Sequence, residues 1–561
     1  MERILECVPN FSEGRNPAVI QAIADAIRGV EGVEVLDVDP GQATNRTVVT
    51  FVGEPEAVLE GAVAGARKAA ELIDMRQHQG EHPRFGALDV CPLVPVAGLS
   101  MEETVDYARE LGRRLGEELG LTVYLYEYAA TRPERRNLAR VRAGEYEALP
   151  ERLQDPEWKP DFGPAEFQPR SGATAVGARD FLVAYNINLN TTSTRRANAI
   201  AFDIREKGRI RREGHPLTGP IVRDEKGEPV WIPGSLKCVK AIGWYIEEYG
   251  ICQVSMNLTN LTVTPVHVAF DECCEKARAR GVRVTGSELV GLIPLQAMLD
   301  AGRYFLRKQK RSLGVSDREL IKIAIRSMGL DELKPFDPEE KIIEYRIRPK
   351  GKRLVDRSVE DFVHETASES PAPGGGSVAA LAGALGAALG TMVANLSSHR
   401  RGWDERWEEF SDHAVHGKAC HDTLLRLLDE DTEAFHGVMA AWRLPEGDEE
   451  EKAAKAAAVQ EATRRAIEVP LRVMETAVRS FEVLEAMART GMESSVSDAG
   501  VGALCARTAV RGAALNVRIN LPGLEDATLR QEFLERARRL EEEAARREEQ
   551  VLRLVEERLE A

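Results

Sequence analysis

Two histidines, three acids and two arginines crowd the short stretch Asp74, Arg76, His78, Glu81, His82, Arg84 and Asp89, just ahead of an apolar run from Val90 to Val96. Histidine is the side chain best suited to exchanging a proton near neutral pH, and loops held by a rigid strand commonly carry such groups. The pattern therefore points to acid and base chemistry. A surface or helix-end His78, and a His82 ring packed under Pro83, would leave the same residues in the sequence.

Two further groups offer chemistry. In Leu427-Leu428-Asp429-Glu430-Asp431-Thr432-Glu433-Ala434-Phe435, acids sit on a helix with apolar residues on both sides. A surface charge is the simplest reading of any one of them. Gly374-Gly375-Gly376-Ser377 enters a helix, where free backbone N–H groups at the positive end of the helix dipole suit a carboxylate or a ring oxygen. A plain glycine cap fits equally well, and the phosphate-loop pattern GxxxxGK[ST] is absent. Asn186 and Asn188 alternate along a strand and share one face, which is unusual for a central strand unless that face lines a cleft.

These groups need a scaffold larger than one core. The 561 residues predict three or four compact units, and 43% hydrophobic content is ordinary for a globular protein. The first third alternates strands and helices: Val33–Val38, Arg46–Val52, a helix over 54–73, Val90–Val96, a helix over 102–119, and Thr122–Tyr126. After Gly172 the alternation restarts, with strands at Phe181–Leu189, Val254–Val263 and Val282–Val284 and helices over 193–207 and 266–280. This predicts α/β layering in two lobes. Beyond Ser358 only helices follow, at about 359–366, 377–396, 403–436, 448–480, 480–489, 498–516 and 527–559. The Val378–Leu396 stretch is apolar and free of charge, but its Ala and Gly content predicts a buried helix rather than a membrane span.

A net charge of −16 disfavours nucleic-acid and acidic-membrane partners, leaving small molecules as the expected ligands. Arg195-Arg196 and Lys207 to Arg212 are the local exceptions, and they read equally well as solvated loops. Eight scattered cysteines without a zinc-like pair predict a reducing compartment and no metal. The first residues lack a signal-peptide pattern, so the expected location is the cytoplasm.

Several motifs carry a resemblance. Glu6-Cys7-Val8-Pro9-Asn10-Phe11-Ser12-Glu13-Gly14, Asn45-Arg46-Thr47, Glu81-His82-Pro83-Arg84, Asp161-Phe162-Gly163-Pro164, the run Gly172 to Arg179, and Gly286 to Pro294 together resemble glutamate formimidoyltransferase. Pro371-Ala372-Pro373-Gly374-Gly375-Gly376-Ser377-Val378 resembles the second half of the fused family, formimidoyltetrahydrofolate cyclodeaminase. The resemblance implies two ferredoxin-like α+β lobes, at 1–179 and 180–330, a linker at 331–356, and an all-α helical-bundle domain at 357–561. It also implies transfer of a formimidoyl group from N-formimidoylglutamate to tetrahydrofolate, then cyclisation to methenyltetrahydrofolate with loss of ammonia, in histidine degradation.

Within that resemblance, His82 falls on the transferase's catalytic histidine and Asp431 on the cyclodeaminase's catalytic aspartate. Gly163, Pro164, Ala165, Glu166, Phe167, Gln168, Pro169, Arg170, Ser171 and Gly172 match the folate-binding stretch, with Arg170-Ser171 where relatives can carry an aromatic. Asp39, at a strand end, is placed to orient the imidazole or to hold the pterin, although a turn carboxylate there would look alike. Asn186, Asn188, Gly374, Gly375, Gly376, Ser377 and Lys452 are expected substrate contacts. Lys452, Arg464 and Arg465 suit the acidic tail of a polyglutamylated folate, or simply solvate a helix. The family implies a closed homo-oligomer, an octamer. Relatives carry an asparagine near Gly491-Met492-Glu493-Ser494, which this chain lacks. Arg211 to Gly234 reads as an inserted hairpin-like loop. The competing reading is a glutamate formyltransferase using formylglutamate, with a decayed cyclodeaminase half kept as a scaffold.

Overall fold

A computed structural model describes residues 3–42, 44–80, 83–214, 218–347 and 353–560. The chain divides into two compact units, Met1–Met298 with Met328–Arg348, and Leu299–Ser327 with Pro349–Ala561.

The first unit holds two lobes. In the first lobe the strands are β1 (Ile4–Cys7), β2 (Asn10–Phe11), β3 (Val33–Gly41), β4 (Arg46–Gly53), β5 (Leu88–Ala97), β6 (Thr122–Glu127) and β7 (Ala173–Ala178). β4 pairs with β3 on one side and with β1 and β2 on the other; both of these also pair with β5, all antiparallel. β5 and β6 then flank β7 in parallel. Helices Pro17–Arg28, Pro55–Leu72 and Met101–Leu119 cover one sheet face through Ile23, Val58, Ala62, Leu111 and Leu115. Proline opens the first two helices, where no intrahelical N–H bond is lost. The third begins with a capping box between Ser100 and Glu103 and ends at Gly120 in the left-handed region.

The second lobe repeats the plan with β8 (Val183–Leu189), the short pair β9 (Arg209–Ile210) and β10 (Trp231–Ile232), β11 (Val239–Ile246), β12 (Ile251–Leu258) and β13 (Val284–Val290). Its main sheet runs β11-β12-β8-β13, antiparallel throughout. Counting β1/β2, β3, β4 and β5 as the corresponding four, both lobes share the order second, third, first, fourth with helices after the first and third strands, as in a ferredoxin-like fold. The β9–β10 pair, with bridges at Arg212–Ile221 and Arg223–Pro229, makes the stretch expected as an insertion a hairpin. Residues 215–217 of it lie outside the described residues.

The second unit is helical: Gly375–Ser398, Trp407–Trp442, Glu449–Thr490, Val496–Asn520 and Ala527–Glu560 surround one apolar core. The alanine-rich Gly375–Ser398 helix packs inside it, as its composition predicts. A Cβ on Gly386 would sit 2.7 Å from the Gly502 carbonyl oxygen, so glycine there lets two backbones meet. The break expected at Ser480 does not occur: one helix runs from Glu449 to Thr490, and the buried Ser480 hydroxyl donates to the Ala477 carbonyl, so it leaves no unmet polar group in the core. Leu299–Ser327 groups with this unit rather than with the second lobe. The Leu313 N–H donates to Ser411 Oγ, the Asn395 amide donates to the Gly314 carbonyl at 2.9 Å, and Lys418 reaches Asp317 at 2.8 Å. The stretch read as a linker is packed at both ends. Ile343 is buried with Leu36 and Val52 of the first unit, while Leu354 lies in the helical core of the second.

Among the described residues, Arg135 is the largest fully buried side chain. Its guanidinium bonds Asp161 and the Lys159 carbonyl, at 2.8 and 2.7 Å, and lies over the Tyr124 and Trp158 rings. Removing one partner of a buried ion pair leaves an uncompensated charge. Arg135→Ala is therefore expected to destabilise the first unit by about 3–5 kcal/mol, read as an earlier first transition in urea unfolding.

Candidate active sites

A cleft of about 1100 Å³ opens on the face of the first lobe's sheet opposite its three long helices, beside the short helix Leu138–Val141. Its position follows from register: Asp39, Val48, Asn10 and Val90 are successive cross-strand partners, so their side chains share this face. Asn10, Val48 and Val90 line the cleft, as do Arg46, Tyr126 and Arg179; the second lobe adds Asp180, Lys240 and Asn260. Asp39 is exposed on the outer strand of the same row. Five cations, Arg46, Arg136, Arg142, Arg179 and Lys240, face three acids, Glu127, Glu145 and Asp180, so the wall is cationic in an acidic protein.

Behind that wall lies Asp89, 1% exposed. Arg142 pairs with it directly and Arg46 stands 3.6 Å away, while Arg46 Nε donates to Asn10 Oδ1 at 2.8 Å. Burial pushes the Asp89 carboxyl up against the pull of the two guanidiniums, and burial lowers Arg46 to about 10. Glu6 on the neighbouring strand is pushed up to about 7 by burial, with Arg179 opposing and Glu344 reinforcing the rise.

His82 and Glu81 lie outside the described residues, but the chain on either side is tightly held. Before them, His78 Nε2 donates to the Asn45 carbonyl at 2.7 Å and the Asn45 amide donates to the Gln79 carbonyl at 2.9 Å. After them, Pro83 lines the cleft, and Arg84 donates to the Met75 carbonyl at 3.2 Å, pairs with Glu147 and lies over the Tyr146 ring. His78 itself is buried, with Nδ1 unpartnered, and burial lowers its pKa. Its ring fastens the loop.

The stretch from Gly163 to Gly172 packs beside this loop and contributes no lining residue to the cleft among the described ones. The Pro164 carbonyl accepts from Thr122, Phe167 tilts against Tyr146 with ring centres 5.4 Å apart, and the Arg170 carbonyl accepts from the Met75 N–H. Gly163 and Gly172, at φ +76° and +67°, close this stretch against Leu121 and Phe85, where no side chain would fit. Ala165, Glu166, Pro169 and Arg170 are exposed; Gln168 and Ser171 are half-buried. Asn186 and Asn188 do share one face, as their spacing requires. There they are buried and bonded: Asn188 donates to Glu332 and accepts from Gln253, and Asn186 donates to Glu288 at 3.3 Å.

In the helical unit, Asp431 meets the start of the Gly375–Ser398 helix. The Ser377 hydroxyl donates to Asp431 Oδ2 at 2.9 Å and lies 3.3 Å from the Thr432 hydroxyl. A Cβ on Gly376 would fall 2.1 Å from Asp431 Oδ1, so the carboxylate can reach the helix end only past a glycine. Burial raises the Asp431 pKa, and the Ser377 side-chain and backbone bonds moderate the rise. Asp429, two residues away, turns elsewhere and accepts the Leu354 N–H at 2.6 Å. Gly374 is the extended cap residue, and a Cβ on Gly375 would lie 3.5 Å from the Asn516 amide. Lys452 sits on the exposed first turn of its helix, paired with Glu449 at 2.7 Å. No cluster of metal-ligating side chains occurs among the described residues.

Over 546 residues the sequence is 45% identical to the formimidoyltransferase-cyclodeaminase of Rattus norvegicus, covering 97% of each chain. The chain belongs to the formimidoyltransferase-cyclodeaminase family. Models of that family match in three places: the formiminotransferase domain's N-terminal subdomain at 4–179, the formiminotransferase domain at 184–348, and formiminotransferase-cyclodeaminase at 358–539. A glutamate formimidoyltransferase of Thermoplasma acidophilum is 43% identical over 306 residues, 54% of this chain and 92% of its own. A methenyltetrahydrofolate cyclohydrolase of Methylorubrum extorquens is 37% identical over 200 residues, 36% of this chain and 96% of its own.

Family motifs did not single out Asp89 with Arg142, which meet across 53 positions, or Asn516 beside the glycine turn. The available signals were an acid at the head of an apolar strand and an amide inside an alanine-rich helix. The Asp431 environment has a measurable consequence. A carboxyl whose folded pKa is raised holds its proton more tightly in the folded state, so its contribution to stability falls as pH climbs from about 3.9 through the folded value. Asp431→Asn lacks that loss. The variant is expected to resist urea better than the wild type at about pH 7, with the gap closing below about pH 4.

Proposed function

We propose that the chain is a bifunctional folate enzyme. The first unit transfers the formimidoyl group of N-formimidoylglutamate to N5 of tetrahydrofolate. The helical unit, an ammonia lyase in this reading, closes N10 onto the formimidoyl carbon. The observation that carries this is the family match over nearly the full chain, with transferase models on the first unit and the cyclodeaminase model on the second.

In the transfer, N5 attacks the amidine carbon and loses a proton, and the departing glutamate nitrogen gains one. His82 is assigned both steps in turn, as base and then acid. Support comes from the loop: His78, Asn45 and Arg84 fasten its two sides, and Pro83 faces the cleft. The 163–172 stretch, against the start of that loop, is assigned to folate, and Asp39 to the pterin side of the cleft face. In the closure, the N10–C bond forms, Asp431 takes the N10 proton, and the C–N bond to the amine breaks as that nitrogen is protonated and leaves as ammonia. A raised pKa makes Asp431 a better base than an exposed aspartate. The formyl-transferring alternative, with a decayed second half, is not favoured, because the Asp431–Ser377 arrangement is intact.

The same reading places the enzyme in the cytoplasm, in histidine degradation, acting on polyglutamylated folates whose anionic tails suit the cationic cleft wall. It also makes the protein a closed homo-oligomer, an octamer. In the helical unit, Leu385 on the alanine-rich helix and Leu515 and Ile519 on the helix packed against it are 56%, 65% and 76% exposed, an apolar face that a second copy would cover. Leu515→Glu with Ile519→Glu should lower the mass seen by light scattering, and a monomeric wild type at micromolar concentration would refute the assembly. His82→Ala should cut formimidoyl transfer by about 10²–10⁴-fold while leaving ammonia release from supplied formimidoyl-folate intact. Asp431→Asn should do the reverse and let formimidoyl-folate accumulate, since an amide cannot take the proton. A His82→Ala variant keeping a third of the transfer rate, or an Asp431→Asn variant still releasing ammonia at the wild-type rate, would remove that residue from the mechanism.

A further inference from the structure

Five non-glycine residues among the described ones are held at positive φ, and three of them line the cleft of the first unit: Glu127 at +54°, Glu145 at +58° and Cys238 at +55°. A side chain in this region crowds its own backbone, and such residues persist where the placement of the side chain matters. Two of the three are also two of the cleft's three acids. Glu145 is engaged, its carboxylate accepting the Arg84 N–H at 3.4 Å. Asp180, the third acid, accepts from the Tyr128 hydroxyl at 3.0 Å and from the Asn260 amide at 2.6 Å. Glu127 differs: its half-buried carboxylate makes no hydrogen bond or ion pair among the described residues. Burial and the neighbouring Asp180 push that carboxyl up, with Arg136, Arg179 and Lys240 pulling the other way.

An unpartnered carboxylate set among cations matches a small ligand with one positive group and more than one negative one. N-formimidoylglutamate is such a molecule: its amidine is protonated near neutral pH, and it carries two carboxylates. We propose that Glu127 receives the terminal NH2 of the donor's amidinium, and so selects a formimidoyl donor over a formyl one, whose carbonyl is neutral. Asp180, fixed by Tyr128 and Asn260, adds negative potential beside it. The pterin ring of the folate is the other group that a carboxylate could hold. Asp39, assigned to the pterin, and Glu127 lie on opposite outer strands, β3 and β6, five strand spacings apart in the order β3-β4-β2-β5-β7-β6, or roughly 24 Å at 4.8 Å each. One ring cannot reach both, whereas a pterin and an amidinium that meet at N5 span the interval between the two side chains. This inference rests on the transferase reading and names a residue behind its donor specificity.

The test compares two inhibitors competing with N-formimidoylglutamate near neutral pH: N-acetimidoylglutamate, which is charged, and N-acetylglutamate, its neutral counterpart. The wild type should bind the charged compound about ten- to a hundredfold more tightly. Glu127→Gln should bring the ratio of the two inhibition constants close to one by weakening the charged compound alone. It should also raise KM for N-formimidoylglutamate while leaving that for tetrahydrofolate in place. Glu127→Asp should keep part of the preference. Glu127→Gly adds a second readout, because glycine occupies φ +54° without strain: this variant should lose the preference and yet unfold no earlier than the wild type in urea. If Glu127→Gln does not fold, the Asp and Gly variants carry the same comparison. An unchanged ratio in variants that still transfer would overturn the assignment. So would a higher tetrahydrofolate KM with the ratio intact, which would give Glu127 to the pterin, or a Glu127→Gly variant that unfolds earlier, which would make the residue structural. A wild type that transfers nothing from N-formimidoylglutamate would refute the transferase reading itself, and the donor assignment with it.

Discussion

In each lobe of the first unit both crossover helices lie on one sheet face, and what covers the opposite face governs the rest of the unit. The strand order places both crossover helices on the same side, so alternate residues face an apolar layer while those between them face away from it. In the first lobe, the row on that opposite face bears Asp39, Asn10, Val48 and Val90, the last three of which line the cleft. In the second, the equivalent positions hold Asn186, Asn188, Gln253 and Glu288, which satisfy one another and Glu332. One face is left partly open as a cleft, and the other is closed by its own hydrogen bonds.

Charge is handled differently in the two units. The first buries ions in pairs, Arg135 with Asp161 and Asp89 with two arginines, and stacks the first guanidinium on aromatic rings. Breaking such a pair exposes the full desolvation cost of the survivor. The helical unit instead places a single carboxylate, Asp431, at a helix start. The Ser377 hydroxyl and backbone N–H there offset only part of the burial penalty, and the residual penalty keeps the group basic. A fully paired aspartate would be more stable and a poorer base.

Strands and helices of the first lobe were legible because their periodicity is clean: Arg46–Gly53 alternates, and Met101–Leu119 announces both its ends. β11 was not, since its outward residues Ile242 and Trp244 are apolar and exposed, which erases the polar phase of the alternation. The fate of Leu299–Ser327 was hidden for another reason: an amphipathic helix shows that it packs, not on which neighbour. Asp431 and Ser377 could be named from motifs, but their meeting depends on Gly376 having no Cβ, a fact of three dimensions. Asp89 stood at the head of an apolar strand, but no local pattern pairs it with Arg142, 53 positions away.

The departure from relatives near Met492 and Glu493 can be weighed on the same geometry. The Met492 N–H donates to Ser397 Oγ and the Gly491 carbonyl accepts from Arg558, so this turn is fastened to the far end of the Gly375–Ser398 helix. Ser377 and Ser397 are separated by about 30 Å at the α-helical rise per residue. Within one subunit, the missing asparagine therefore lies well away from the Asp431 carboxylate and its donors. The bonds that orient that base and moderate its raised pKa come from the helix's first turn, and that turn keeps the glycine and the serine on which they depend.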